Sequence, residues 1–474
     1  MSAIAKADET IPLEQFCLTG EFNLGARLQG MTPEQDEFYP MTWCITTESN
    51  SGNITFYAEG KSNPDMEGSY HVKFIPPDKV QLLAENGNVE LQFDGAIIAN
   101  EALRHQRMNP DFLLKELEDN PDWILSSNSN NGEQIYKVRY PDNGFIHTVS
   151  VKSHRLNSVK TWADIPLRGR VPVVWQWHWN TDQATLTILL ADQLLMRATA
   201  SRNTLHYQPR QGIINSPHQL PGKAWPSRQA MSINTLADDV FMVTNVRTGF
   251  HHLVVKTQKG LVIADAPAGW VEVHQIPPTD LVPEQGISGL SESFIGFLKQ
   301  QWPDSPIAAV ILTHFHDDHA GGARAFAAHG AEVYSHATNQ AFLEKAFNSP
   351  AMPSDQLSMK GEKVKVLGIS QPVNIASTDN RLVAYPIPKS PHANAGLAVY
   401  VEQHQILFVS DIHVPSGDSS TPRQDKLITD CWFANWAAEN FPKQTRIYNS
   451  HNMRTTPMTT LYGYRVSEAC RSME

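Results

Sequence analysis

Between Ala308 and Phe326 the chain reads AAVILTHFHDDHAGGARAF: an apolar run, then three histidines and two aspartates within six positions, then a Gly-Gly pair. The apolar run suits a buried strand ending at Thr313, and Gly321 and Gly322 are predicted to let the chain turn into a helix. His314, His316, Asp318 and His319 then fall on the loop just past the strand's carboxyl end, where α/β folds gather their functional groups. Imidazoles and carboxylates crowded beside a hydrophobic strand are costly to desolvate unless they are paired, hydrogen-bonded or bound to a cation. Both are good ligands for zinc and similar divalent ions. A polar loop with idle histidines explains a lone histidine well, but four suitable ligands in the order H-x-H-x-D-H favour a metal.

A chain of 474 residues is too long for one average core, and two domains are expected. With 41% hydrophobic and 18% charged residues, both can bury sizeable cores. The formal charge of -11 opposes a non-specific grip on nucleic acid, and no nucleic-acid partner is expected. No window approaches the roughly 18 unbroken apolar residues of a membrane span. The start, MSAIAKADETIPLEQF, lacks the apolar core of a signal peptide. A cytoplasmic location is therefore expected for the sequence as written, and a periplasmic or secreted one had a signal peptide been removed. Cys17, Cys44, Cys431 and Cys470 are scattered, without C-x-x-C spacing, and read as buried or free thiols.

One boundary stands out. From His206 to Arg228 the text is rich in Pro, Gly, Gln and Ser and has neither helical nor strand period, so the chain divides into residues 1–228 and 229–474. The first part alternates short β-rich segments with turn residues, as in GSYHVKF, PPDK and VQLL, or QIYKVRY, PDNG and FIHTVSVKS, and is predicted to be a largely antiparallel sheet. In VVWQWHWN the alternation puts Trp175, Trp177 and Trp179 on one face, as a packed aromatic core or a ligand wall. DFLLKELEDN is the expected helix. No catalytic spacing is visible in residues 1–228. In the second part, strands such as ADDVFMVTNV and AAVILT alternate with the helical SESFIGFLKQQW and GARAFAAHG, a pattern of helices packed on sheet faces.

On these residues the second part resembles the metallo-β-lactamase superfamily of metal-dependent hydrolases. The resemblance implies a four-layer αββα fold for residues 229–474, making the whole chain an α/β protein with a β-rich N-terminal domain. It further implies that His314, His316 and His392 hold one metal, that Asp318, His319 and His451 hold the other, and that Asp411 bridges them. His392 follows the strand RLVAYPI, Asp411 ends QILFVSD and His451 follows TRIYNS, each at a strand end. The sequence around His451 departs from the glycine-flanked histidine common in the superfamily.

The implied activity is that of a binuclear, zinc-type hydrolase, with iron or manganese as alternative metals. Two cations about 3.5–4 Å apart would share a water, lower its pKa towards about 7 and direct the hydroxide at a small ester, thioester, lactone or phosphoester. Asp318 would orient that water or carry its proton. This set resembles the glyoxalase II and lactone-hydrolase branches. The β-lactamases, with cysteine or serine at the position of Asp411, are one alternative. A mono-iron persulfide dioxygenase is a second, and a non-catalytic metal-containing binding module is a third. The expected partner is a small-molecule substrate, with homo-oligomerisation through the N-terminal domain as a further expectation. His251, His252, His336, Lys389 and His413 are weaker candidates for the rim of the site. Trp432 and Trp436 read first as a buried helix face.

Overall fold

A computed structural model describes residues 13–48, 51–63, 66–76, 79–83, 89–94, 106–141, 145–180, 183–202, 223–224, 231–247, 250–268, 287–375, 381–415, 421–422 and 426–472. The stretch His206–Arg228, read above as a connection, lies outside them except for Lys223–Ala224, which pairs in parallel with the strand Val89–Asp94.

Residues 13–224 build one 14-stranded sheet. The strand Leu13–Asn23 sits in its middle, antiparallel to Phe38–Glu48 on one side and to Gln193–Arg202 on the other. Antiparallel strands extend the sheet outward from both. Alternation drives the burial: Phe16, Leu18 and Phe22 point into one core with Trp43, Phe56, Val72 and Phe74. Leu113 and Leu117 of the helix Pro110–Asp119 join them, as the sequence predicts. Trp177 is buried in this core, with Trp175 and Trp179 packed against it, so the indole stripe is core.

The second part forms the four layers expected of it. A seven-stranded sheet faces a six-stranded one. Val240, Met242, Leu253, Val262, Ala309 and Ile311 of the first pack on Leu382, Ala384, Leu397, Val399 and Phe408 of the second. The outer face of the seven-stranded sheet is covered by the helices Gly289–Gln301, Ala323–Ala328 and Ala337–Phe347, through Phe294, Leu298, Phe326, Leu343 and Phe347. The helices Leu427–Asn440 and Met458–Arg465 cover the outer face of the other, through Phe433, Ala437 and Leu461. In the seven-stranded sheet the strand Ile307–Ile311 runs parallel to both neighbours, and such strands, covered on both sides, read as continuous apolar runs.

The two parts share a core. Leu28 and Leu167 belong to the apolar cluster beneath the helices of the second part. Burying a leucine contributes about 1.5–3 kcal/mol, so this docking is a sizeable contact. The backbone at Arg170 also donates to the Ala351 carbonyl at 2.6 Å. Gly321 and Gly322 form the predicted turn into the helix Ala323–Ala328, but their φ values are the ordinary -62° and -93°, so the turn itself does not demand glycine. A Cβ at Gly321 would lie 2.7 Å from Pro166 Cβ and 2.6 Å from Ala268 Cβ, and one at Gly322 2.1 Å from Ser291 Oγ. The glycines are needed for close approach.

The cysteines also correct the sequence reading. Cys17 and Cys44 lie opposite each other on adjacent strands and are joined, as are Cys431 and Cys470, so the four are two disulfides and none is a free thiol.

Candidate metal centre

Strand ends carry the ionisable side chains to one place. After Ile307–Ile311 the chain is tied down at Thr313, whose N–H donates to Asp265 Oδ1 at 2.8 Å and whose carbonyl accepts from the Leu397 N–H at 2.6 Å. His314 follows. His316 precedes the short helix Asp317–Ala320, which turns Asp318 and His319 inward. His392 lies on the loop after Leu382–Ile387, where Ser390 Oγ accepts from its N–H at 3.2 Å. Asp411 stands on a turn just past Ile406–Phe408, and His451 past Arg446–Tyr448, its N–H held by Asn449 Oδ1 at 2.8 Å.

All seven predicted residues converge, in two groups. In the first, His314 Nε2 is 3.0 Å from His316 Nδ1 and 3.2 Å from His392 Nε2. In the second, Asp411 Oδ1 is 2.7 Å from His451 Nε2 and 3.1 Å from His319 Nε2, and Asp318 Oδ2 is 3.5 Å from His319 Nε2. Asp411 spans the two, because its Oδ2 is 3.6 Å from His392 Nε2. His314, His316, Asp318 and His319 are buried, whereas the His451 side chain is 31% exposed, so the centre opens on that side.

Three of the rings, those of His314, His316 and His319, have hydrogen-bond partners on their far sides. The Gly30 carbonyl lies 3.0 Å from His316 Nε2 and can only accept, so the proton sits on Nε2 and Nδ1 turns a lone pair to the other imidazoles. Thr313 Oγ1 holds His314 Nδ1 at 3.1 Å, and Asp265 Oδ2 holds His319 Nδ1 at 2.9 Å. Burial, with repulsion from the neighbouring imidazoles, keeps the His314 pKa well below its ordinary value and takes that of His392 to about 3; burial also lowers that of His316. Burial opposes charge on His319 and Asp411 as well, but there the facing opposite charges prevail. Asp411, Asp318 and Asp265 raise the His319 pKa, while His319 and His451 hold that of Asp411 down.

A metal fits this donor set. Three imidazole nitrogens converge with protonation disfavoured, and His314 and His316 have hydrogen-bond partners on their far sides, so a cation other than a proton satisfies them. Their separations of 3.0 and 3.2 Å are close to the roughly 3.3 Å between donors on a tetrahedral ion with bonds of about 2.0–2.1 Å. In the second group, buried His319 Nε2 makes no hydrogen bond although carboxylate oxygens lie at 3.1 and 3.5 Å. His314, His316 and His392, and separately His314, His319 and Asp411, each offer three ligand atoms within 4.8 Å of one another.

Four supporting residues escape the sequence reading. Asp265 ends the apolar strand Gly260–Ala264, the same signal that marks Asp411, but no histidine beside it draws notice. Gln29, Gly30 and Arg27 come from residues 1–228, where no site spacing is visible. Among the weaker candidates, His251 backs onto the strand end at Ser450, its N–H donating to that carbonyl at 2.7 Å. His252 turns the other way, its Nδ1 3.0 Å from the Ala264 carbonyl and its ring against Phe294. His336 caps the helix Ala337–Phe347 through Nδ1. Lys389 is exposed. His413 is locked between Asp430 and Thr456, away from the two groups. Trp432 and Trp436 stack at 6.1 Å against the apolar cluster under their helix.

Comparison with known proteins agrees. Residues 288–451 match the family model of the metallo-beta-lactamase superfamily. Residues 288–451 therefore belong to that superfamily. Similar solved structures include a metallo-beta-lactamase from Pontibacter korlensis, at 16% identity over 49% of this chain and 96% of that one. Another is FIM-1 from Pseudomonas aeruginosa in its mono-zinc form, at 15% identity over 51% and 96%. A third is the sec-alkylsulfatase Pisa1 from a Pseudomonas species, at 14% identity over 50% and 41%. Each has a TM-score of 0.34, too low to speak to substrate. A search of curated proteins finds no match.

Proposed function

We propose that this chain is a binuclear metal-dependent hydrolase of a small ester, thioester, lactone or phosphoester, with zinc as the first candidate metal. The observation that carries the reading is Asp411, one carboxylate oxygen facing His319 and His451 and the other facing His392, as a ligand shared between two ions would be. Two divalent cations in these groups would supply Lewis acidity and a water of lowered pKa. The division of the chain near residue 228 is part of the same proposal.

The chain's own contribution is positional and acid–base. Asp318 Oδ1 accepts from Gln29 Nε2 at 3.1 Å, and its other oxygen is directed into the second group, where it is suited to take a proton from an attacking water and return it to the leaving group. Among the described residues no free thiol stands at the centre. Both disulfides consume their thiols, and Ser410 Oγ is buried against Asp265 and His319 at 3.0 Å. The two disulfides also favour an oxidising compartment over the cytoplasm.

The test is elemental analysis of protein purified without added metal, alongside hydrolysis of lactone, thioester, phosphodiester and cephalosporin reporters. Two equivalents of zinc or manganese with turnover of a non-cephalosporin reporter is the expected result. A single iron, or no bound metal, overturns it. Oxygen consumption with a persulfide would identify the dioxygenase in that event.

A further inference from the structure

The loop joining the first two strands runs from residues 24 to 37, about 280 positions before the histidine cluster, yet it is seated on that cluster. Arg27, only 1% exposed, places Nη1 3.1 Å from Asp317 Oδ2. Leu28 enters the apolar layer beneath the helices of the second part. The Met31 carbonyl accepts from the Asn394 N–H at 2.8 Å, and Thr32 Oγ1 accepts from the Asn394 side chain. The loop therefore grips both the segment that carries His314–His319 and the one that carries His392. Within itself it is tied by the Leu24, Arg27 and Gln29 backbone and by the Glu37 carboxylate, which accepts from the Met31 N–H.

Between these anchors the loop presents two polar groups to the centre. Gln29 Nε2 is 2.5 Å from Asp317 Oδ1 and 3.1 Å from Asp318 Oδ1. An amide nitrogen has two protons, and here each meets a different carboxylate. Asp318 thus accepts from Gln29 at one oxygen while the other lies 3.5 Å from His319 Nε2. The next residue, Gly30, supplies the carbonyl that holds His316 Nε2. Partners of this kind orient ligands and set their tautomers, and their loss typically weakens metal binding about 10–100-fold.

We infer that Gln29 and the Gly30 carbonyl are positioning groups of the metal centre, so that a loop of the N-terminal sheet completes a site whose ligands all come from the second part. The inference rests on the reading that these ligands hold metal. Gln29 touches no reacting atom. It acts through Asp318, and Gly30 acts through His316.

Full-length Gln29→Met keeps side-chain length and removes the donor, and Gln29→Asn keeps the amide but shortens its reach. Each is compared with the parent by zinc titration against a chromogenic chelator, by the visible spectrum of the cobalt-substituted protein and by thermal unfolding of the metal-free form. For Gln29→Met the second equivalent is expected to bind about 10–100-fold more weakly, with a changed cobalt spectrum and an unchanged first equivalent. Gln29→Asn should fall between this and the parent, and it carries the test alone if the methionine variant does not fold. A merely structural role would lower the melting temperature of the metal-free form and leave both affinities at parental values, which overturns the inference alone. A parent chain that binds no metal overturns the reading of the site and the inference with it.

Discussion

The two groups of candidate ligands meet at Asp411 but are built on opposite principles. His314, His316 and His392 form a group of three imidazoles kept neutral by burial, with a threonine hydroxyl and a glycine carbonyl behind two of them. His319, His451, Asp318 and Asp411 form a group in which carboxylates face imidazoles, with Asp265 behind His319. The first group offers lone pairs without charge. The second brings negative charge to offset a cation. Different donors imply different affinities, and the shared carboxylate makes each group depend on the other.

Removing that shared group should have the largest effect. Asp411→Ala is expected to lose both metal equivalents and turnover, by more than the roughly 10–100-fold that loss of an orienting partner costs. Metal analysis and reporter assays on the purified variant check this, and full activity would sink the assignment. His316→Ala comes next, because it dismantles only the imidazole group: metal content should fall, turnover should vanish, and any ion that stays should show the carboxylate-rich environment in its cobalt spectrum. Asp265→Asn is milder. It leaves every ligand in place and weakens the support of His319, along with the Thr313 N–H and Ser410 hydroxyl contacts that Asp265 also accepts, so the second equivalent should bind about 10–100-fold less tightly in a chelator competition.

His252 supplies a control, a buried imidazole near the centre that faces none of the ligand nitrogens. Burial takes its pKa down from 6.5 to about 4. As pH falls the unfolded chain takes up the proton first, so the stability His252 contributes is complete above pH 6.5 and is lost as pH falls towards 4. At pH 5 the loss is about 2 kcal/mol, to be read from urea unfolding of the metal-free protein against a His252→Gln variant, whose curve should be flatter by that amount. Equal pH dependence in the two proteins would remove His252 as the cause.

Much of the centre is legible in the sequence because its ligands sit where local rules place them. An apolar strand followed by ionisable side chains marks His314–His319, and resemblance adds His392, Asp411 and His451, each also at a strand end. Asp265 obeys the same rule without standing out, since a lone acid after a strand is common and its histidine partner lies 54 positions away. The cysteines show a similar blindness: pairing of Cys17 with Cys44 follows from strand register, and that of Cys431 with Cys470 from packing between helices, neither of which spacing reveals.

The sequence by itself determined the class of each part, because hydrophobic period and β-branched runs act over a few residues and set strand or helix locally. It also marked four of the candidate ligands, through the H-x-H-x-D-H spacing. What only the tertiary structure decided is how the N-terminal sheet meets the centre. The contacts from Arg27 to Asp317 and from Gly30 to His316 join residues nearly 290 positions apart. Such contacts arise when two folded surfaces dock and bury Leu28 and Leu167, a free energy spread over both halves of the chain that no short segment encodes.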